Sequence, residues 1–572
     1  MAAAGAGDAL IVHLGFGGAV RVGVPVPLRV EVPPLPDGGA GAIVVDVPAL
    51  GRQEGEVVTA TSMPFEAVPG AARVFDIPVV LSDIRRPLVV RLVLDGRERL
   101  RRSVMIRPDL VGGRVVVELS NEAAGLETLA RLPERVVTAY VRADVLPRRW
   151  QEYGTIGLLV VRGSDVSPLD DAQRDALITW VRLGGRLLVI APPGAPPPAF
   201  LEDLIPASVG APRVVSSAGG LVGETPPGSY TVSDLRPRPG ATVTRAGGIP
   251  IGAGAREGAG WIEVWGFDPT RAPFAGWPGR VRMWSAALGP PNVPPVQVDA
   301  VAARLPAAPS LDPFVHAEVG GVVLAYLAAL YLIVRRPMTR ARMLASLVSI
   351  ALAVGVFWRL AEDVRVRSTS VAEATFLEQA PGTPLVRALT VGAIAVPYGG
   401  RFRVRLPSGA LVRPLIASGG LRVEVTDRGT LLDGTLAAGE APRTFEATAA
   451  APLAARADLG ADDRTLRVDL GGEQAHRVEL HWGDRWYWIG DVGPAGSTID
   501  LRPDAWVRSP GTDSENRDRS WIFLGSNGDV IMSATTPVLV GEIQRIVSAF
   551  RLEDGGALDR EPTILVVPVE RR

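Results

Sequence analysis

The chain has 572 residues, with 60 basic and 61 acidic side chains, a formal net charge of -1 and no cysteine. The balanced charge excludes a general electrostatic attraction to nucleic acid, and the missing thiols exclude disulfides, thiolate metal sites and cysteine nucleophiles. The sequence also contains no lysine, which excludes a lysine Schiff base and a phosphate-loop lysine.

Residues 1–107 show short apolar segments separated by proline and by Asp-Gly turns such as Asp95-Gly96. Alternating apolar and polar residues between such turns are typical of antiparallel strands. The pattern predicts an immunoglobulin-like β-sandwich. Its predicted strands are residues 9–14, 27–32, 42–47, 73–81 and 87–94.

Residues 108–310 alternate between continuously apolar segments and amphipathic ones. Strands that are apolar on both faces predict a parallel sheet covered by helices, as in flavodoxin-like α/β domains. Ser167 is predicted to cap the second helix, and Gly184 with Gly185 to end it. The predicted strands are 114–119, 135–141, 155–161, 186–190 and 260–269, and the predicted helices are 123–132, 170–182 and 280–288.

Residues 311–363 contain two apolar stretches, 319–334 and 343–360, joined by an arginine-rich loop. The first stretch has no charged residue and the second has none up to Trp358. This lack of charge and their length predict a two-helix membrane hairpin with the lipid bilayer as partner. The basic loop favours the cytoplasmic side, so the large domains of this two-span membrane protein would be extracytoplasmic. That topology needs an export signal before Met1, or else the orientation is inverted. The alternative is a buried helical hairpin within a large soluble domain.

Residues 364–510 return to short strand-like segments and predict a second β-sandwich. The predicted strands are 389–396, 402–406, 421–426, 465–470, 477–481, 486–489 and 498–501. Residues 511–572 are predicted to form a C-terminal extension with a helix at 538–551 and a strand at 563–569.

An aromatic cluster in this part of the chain has two interpretations. Exposed tryptophan rings could stack on sugars or anchor a partner. Alternatively, Trp486 and Trp488 share one face of a strand and fill the sandwich core. The cluster comprises Trp482, Trp486, Tyr487, Trp488, Trp506 and Trp521.

The candidate ligand site lies at the carboxyl ends of the parallel strands, where such sheets bind ligands. The side chains there could hydrogen-bond a ligand, or they could cap helices and shape turns. A carboxylate-metal hydrolase using Glu122, Asp165 and Asp170 is the enzymatic alternative. No catalytic residue, resident metal or cofactor is otherwise predicted. The ligand-binding candidates are Ser120, Asn121, Glu122, Arg162, Ser164 and Asp165.

The segment 158–189, with Leu158-Leu159-Val160-Val161 followed by the run 177–189, resembles the class I glutamine amidotransferase-like fold. The whole layout is similar to uncharacterised bacterial membrane proteins in which such a domain follows an immunoglobulin-like domain. In those proteins a membrane hairpin and a second β domain come next. Active amidotransferases carry a cysteine after the strand equivalent to 186–190, whereas this chain has Ala191-Pro192-Pro193-Gly194.

The resemblance therefore implies a pseudoenzyme, because no thiol can form the covalent intermediate. The predicted function is a membrane-anchored, extracytoplasmic scaffold or binding protein of the bacterial envelope, with a protein partner there and no nucleic acid. The alternative is the carboxylate-metal-dependent hydrolase acting at the membrane surface.

Overall fold

The computed structural model of the chain describes most residues outside the region around 306–368. The described residues are 9–48, 58–119, 126, 129, 132, 134–162, 169–217, 225–290, 296, 298–303, 305, single positions between 321 and 359, 369–407, 409–415, 421–426, 429–438, 440–482, 485–508, 537–545, 550–553, 557–560 and 563–571.

The N-terminal domain is a β-sandwich. One of its layers is β1-β2-β5, and the other contains β4-β3-β6-β7. Along β2 every second side chain is buried, because successive residues of a strand point to opposite faces. The strands are β1 (Ile11–Leu14), β2 (Pro25–Val32), β3 (Gly39–Pro48), β4 (Val58–Ala67), β5 (Arg73–Val80), β6 (Leu88–Leu94) and β7 (Arg97–Val104).

The middle domain is built on a mixed sheet. Its elements are β8 (Arg114–Leu119), β9 (Val136–Val141), β10 (Ile156–Arg162), α1 (Asp171–Arg182), β11 (Arg186–Ile190), β12 (Ala207–Ser217), β13 (Gly228–Pro237), β14 (Thr242–Ala246), β15 (Ile249–Glu257), β16 (Gly260–Trp265), α2 (Arg280–Leu288) and α3 (Val298–Ala302). Short 3-10 helices lie at Pro108–Leu110, Ala143–Val145, Trp150–Thr155 and Ala199–Leu201.

The strand order of this sheet is β14-β15-β16-β11-β10-β8-β9, and the neighbours from β16 to β9 are parallel. Helix α1 packs Leu177 and Trp180 on one face, and α2 packs Trp284 and Leu288 on the other. Both faces are therefore buried, which explains why β8 has no exposed residue.

The C-terminal domain consists almost entirely of β-strands in its described part. Its strands are β17 (Ser370–Gln379), β18 (Leu385–Ala395), β19 (Gly400–Leu406), β20 (Leu411–Pro414), β21 (Arg422–Thr426), β22 (Gly429–Leu436), β23 (Arg443–Pro452), β24 (Arg456–Leu459), β25 (Thr465–Asp469), β26 (Ala475–Trp482), β27 (Arg485–Val492), β28 (Ser497–Asp500), β29 (Val507–Arg508), β30 (Val538–Ile543), β31 (Arg551–Leu552), β32 (Ala557–Arg560) and β33 (Thr563–Arg571), with a 3-10 turn at Pro503–Ala505.

The N-terminal and C-terminal domains share one continuous sheet of order β31-β19-β22-β21-β4-β3-β6-β7. Strand β4 pairs in parallel with β21, with Thr61 opposite Val423. The Ala60 N–H donates to the Leu421 carbonyl oxygen (3.1 Å). Edge strands of two sandwiches thus satisfy each other's backbone groups, which covers two otherwise exposed edges.

The predicted fold class is wrong in its proportion of helix to strand and in its membrane hairpin. The described chain is dominated by strands, and two segments are responsible. The proline-rich and glycine-rich stretch after Pro192 forms β12 to β15, and the predicted helix at 538–551 begins instead with β30, which lies between β33 and β26. Periodicity within one segment does not reveal such long-range pairing. The predicted helix 123–132 lies mostly outside the described residues.

The prediction of a two-span membrane hairpin is also wrong for the part of the chain that is described. No helix there combines the length and the apolar character needed to cross a membrane. Most of 319–334 and 343–360 lies outside the described residues; single positions such as Leu324, Tyr331 and Trp358 are helical and largely exposed. The predicted two-span membrane localisation rested on this hairpin and is wrong with it, whereas the predicted lipid and protein partners stay predictions.

Candidate functional site

The carboxyl edge of the parallel strands carries an ion network around Arg162. Its guanidinium donates to the fully buried Glu118 carboxylate and, from Nη1, to Asp268 Oδ1 (2.9 Å). Asp268 also accepts from the Thr270 hydroxyl (2.6 Å) and the Thr270 N–H (2.9 Å). These contacts join the ends of β8, β10 and β16, so Arg162 holds the sheet edge together.

Arg162 is the only one of the predicted ligand-binding residues that lies in the described part of the chain. Ser120, Asn121, Glu122, Ser164 and Asp165 lie outside it, so the predicted site stays a prediction.

Of the three residues of the hydrolase alternative, Asp170 alone lies in the described part of the chain, so this alternative also stays a prediction. Asp170 is the N-cap of α1: it accepts from the Gln173 N–H (2.8 Å), and the Gln173 side chain accepts from its N–H (3.1 Å). This capping box replaces the predicted cap at Ser167. Among described residues no group of three or more His, Asp or Glu could hold a metal ion.

A cavity of about 310 Å³ lies at the opposite, amino edge of the parallel strands. We call it the arginine cavity. All three domains contribute to its wall. The lining residues are Arg21, Gly23, Val24, Pro25, Gly113, Arg114, Trp150, Gln151, Gly154, Ile156, Gly157, Trp180, Leu183, Gly184, Gly185, Arg186, Pro290, Val298, Arg387, Leu389, Leu411, Arg413, Glu446 and Thr448.

Side-chain hydrogen bonds link each pair of domains at this cavity. Gln151 donates to the Thr448 carbonyl oxygen (3.2 Å), joining the middle and C-terminal domains. Thr155 donates to the Pro25 carbonyl oxygen (3.0 Å), and Arg413 to that of Gly23 (2.6 Å). The cavity therefore lies where the three domains meet, and a side-chain hydrogen bond connects each pair of them.

The arginines on the C-terminal wall are neutralised by carboxylates. Arg387 forms an ion pair with Glu378, and Arg413 forms one with Glu446. The opposite charges of each pair cancel, although Glu378 Oε1 and Arg413 Nε have no hydrogen-bond partner among the described residues. This wall therefore contributes little net charge.

The arginines of the middle domain converge on the C-terminal end of α2. Arg114 donates to the Gly289 carbonyl oxygen (2.7 Å) and to Glu134 (3.1 Å), and Arg186 donates to the Ala287 carbonyl oxygen (3.1 Å). A helix C-terminus carries partial negative charge, which stabilises nearby guanidinium groups.

Arg21 carries the least compensated positive charge of the cavity. Among the described residues, Arg21 has no hydrogen bond or ion pair; burial and the neighbouring Arg114 lower its pKa. Burial also lowers the pKa of Arg186, and Arg114 adds to this. The Glu263 carboxylate acts in the opposite direction on the pKa of Arg186, and its effect is larger than that of Arg114. Both guanidiniums remain charged at neutral pH.

Sequence reasoning missed this site, although the sequence contains a signal for it. The tripeptide Gly-Gly-Arg occurs before β8, ending at Arg114, and again before β11, ending at Arg186. Both strands are parallel and lie on either side of β10. The repeat therefore brings two arginines to the same edge of the sheet.

The predicted aromatic cluster divides into buried and accessible rings. Trp486 and Tyr487 are buried, whereas Trp488 is 46% exposed, so the prediction that Trp486 and Trp488 both fill the core is wrong. Irregular register between β26 and β27 accompanies this difference. Trp482 and Trp506 line a separate pocket, and Trp521 lies outside the described residues.

Comparisons with known proteins assign no family. No protein-family model matches the chain, and no curated protein matches it. The solved exo-β-1,4-mannosidase Op5Man5 from Opitutaceae bacterium strain TAV5 is similar over 30% of this chain and 35% of its own, at 19% identity and a TM-score of 0.22. The chain thus spans about a third of that protein.

Two further structures are similar at lower scores. The β-glucuronidase 2 of Bacteroides uniformis shares 10% identity over 34% of this chain and 24% of its own (TM-score 0.14). A glycosyl hydrolase family 2 member from Bacteroides cellulosilyticus shares 9% identity over 96% of this chain and 78% of its own (TM-score 0.13). Scores this low carry no argument, and the resemblance to amidotransferase-like proteins stays a prediction.

Proposed function

We propose that the protein is a ligand-binding scaffold that holds a small anion, bearing phosphate or carboxylate groups, in the arginine cavity. The observation that carries the proposal is Arg21, a half-buried guanidinium without a carboxylate or carbonyl partner among the described residues. Partly burying a charge is unfavourable unless another group pairs with it. An anion would supply that pairing and would lie between Arg21, Arg114 and Arg186.

The dimensions and walls of the cavity agree with a small ligand. Its volume of about 310 Å³ lies at the lower end of the range for small-molecule sites. Trp150 and Trp180 add aromatic surface beside the guanidiniums. Since three domains form the wall, an anion bound there would also strengthen the contacts between them.

The proposal is tested by calorimetric titration of the full chain with inorganic phosphate, pyrophosphate and citrate at low ionic strength. We expect at least one probe to bind and to raise the melting temperature, because a ligand that binds only the folded state stabilises it. Arg21→Gln and Arg186→Gln should each weaken binding about tenfold. Added salt should weaken it as well.

The matched control is Arg97→Gln, which removes an exposed arginine from β7, outside the cavity. It should leave binding unchanged. The proposal is overturned if no probe binds, or if the control weakens binding as much as the two cavity variants do.

A further inference from the structure

A second pocket, of about 590 Å³, lies in the C-terminal domain and is independent of the arginine cavity. We call it the tryptophan pocket. It is formed by the loop before β25, the adjoining ends of β26 and β27, and the chain after β28. Its lining residues are Asp462, Asp463, Arg464, Trp482, Arg485, Leu501, Pro503 and Trp506.

The aromatic wall of the pocket is held rigidly. The rings of Trp482 and Trp506 meet edge to face with centroids 6.2 Å apart, and Trp506 packs in the same way on Tyr487 at 5.6 Å. Behind them Tyr487 is buried in the core. Both tryptophans are only half-buried. Arg571 stacks on the Trp482 ring, so Trp506 presents most of the apolar surface, in a fixed orientation.

The polar side of the pocket has more free donors than acceptors. Asp463 accepts from Arg571 (3.1 Å), and Asp462 accepts from the backbone N–H groups of Arg464 (3.0 Å) and Thr465 (3.3 Å). The guanidiniums of Arg464 and Arg485 are exposed and, within the described residues, have no side-chain hydrogen bond. Arg464 interacts electrostatically with the Asp462 carboxylate, so Arg485 is the less compensated of the two. A ligand with acceptor groups would satisfy them.

We propose that the tryptophan pocket binds an acidic saccharide. A sugar ring presents an apolar C–H face that packs on Trp506, because the Arg571 guanidinium already lies over the Trp482 ring (4.8 Å from its centroid), while the hydroxyl and carboxylate groups of the sugar lie at the polar rim. Arg464 and Arg485 bind the carboxylate, since planar guanidiniums pair with carboxylates in a bidentate manner. The volume is within the range of small-ligand sites and accommodates more than one sugar ring.

The test compares oligogalacturonate with a neutral cello-oligosaccharide of the same length in calorimetric titrations of the full chain. We expect the acidic chain to bind at least tenfold more tightly. Trp506→Ala should weaken this binding about tenfold or more, because buried aromatic contacts commonly dominate an interface. Arg485→Gln should abolish the preference for the acidic chain.

Trp488→Ala is the matched control, because Trp488 is an exposed tryptophan in β27, the strand that carries Arg485, and does not line the pocket. It should bind like the unmodified protein. If Trp506→Ala does not fold, as judged by circular dichroism, Arg485→Gln alone decides, since its side chain is exposed. Absence of binding, equal binding of both saccharides, or an equal loss in Trp488→Ala would overturn the inference.

Discussion

Replacing Glu152 by glutamine should remove a pH-dependent loss of stability. Glu152 lies in the 3-10 helix Trp150–Thr155 beside the arginine cavity and is 1% exposed. Its Oε2 has no hydrogen-bond partner among the described residues. Burial raises the pKa of this carboxyl group to about 8 from its ordinary value of 4.5, and the nearby Arg149 opposes this only in part.

The magnitude follows from the difference between the folded and unfolded pKa of Glu152. Since one pH unit corresponds to about 1.4 kcal/mol, the ionised carboxylate destabilises the fold by about 5 kcal/mol at high pH. The pKa of Glu152 is higher in the folded state than in the unfolded state. The stability that the protonated carboxyl group allows is therefore fully present below about pH 4.5. It is lost progressively as the pH rises to about 8.

Glu152→Gln keeps the shape of the side chain but cannot ionise. We expect the variant and the unmodified protein to be about equally stable near pH 5, and the variant to be more stable by several kcal/mol near pH 8. Unfolding at pH 6 to 7 should also release about one proton fewer in the variant, because the unmodified Glu152 is protonated only in the folded state.

Urea denaturation across pH 5 to 9 measures the difference in stability between the two proteins. Calorimetry in buffers of different ionisation enthalpy measures the difference in proton release on unfolding. Glu202→Gln, at an exposed position, is the control and should change neither. Parallel stability curves for the unmodified protein and Glu152→Gln, together with equal proton release, would refute the reasoning.

Three further substitutions test the packing, the ion network and the helix cap. Gly185→Ala should destabilise the protein by about 1–3 kcal/mol in urea denaturation, because the added Cβ would lie 2.4 Å from ring carbons of Trp180. Arg162→Met should lower stability by about 3–5 kcal/mol, since Glu118 would lose this guanidinium while remaining buried, and adding Glu118→Gln should recover part of the loss. Asp170→Ala should lower stability by about 1 kcal/mol at neutral pH. That difference should disappear in acid, because backbone hydrogen bonding lowers the pKa of Asp170 and its stabilisation is lost as the carboxylate is protonated.

Each of these variants has a matched control substitution. Gly276→Ala places a Cβ where no atom lies within 4 Å. Arg271→Met removes an exposed partner of the Asp268 carboxylate, and Asp171→Ala removes an exposed carboxylate one residue beyond the cap. We expect each control to change stability by less than about 0.5 kcal/mol. An effect in a control as large as in its paired variant would contradict the contact assigned to that variant.

The sequence alone determined the strands whose apolar residues reflect local burial. The predicted segments 114–119 and 186–190 coincide with β8 and β11, and residues 280–288 with α2. In these segments a continuous apolar run, or apolar residues repeated at helical spacing, indicates directly which faces are buried. The absence of cysteine and lysine likewise limited the available chemistry before any fold was known.

Only the tertiary structure decided how distant segments combine. The pairing of β4 with β21 and the position of β30 between β26 and β33 depend on strands far apart in the chain. The arginine cavity arises in the same way, because Arg21, Arg186 and Arg413 belong to three domains. Side-chain periodicity reports whether a residue is buried but not which partner buries it, so these contacts, and the candidate site they form, appear only in the folded chain.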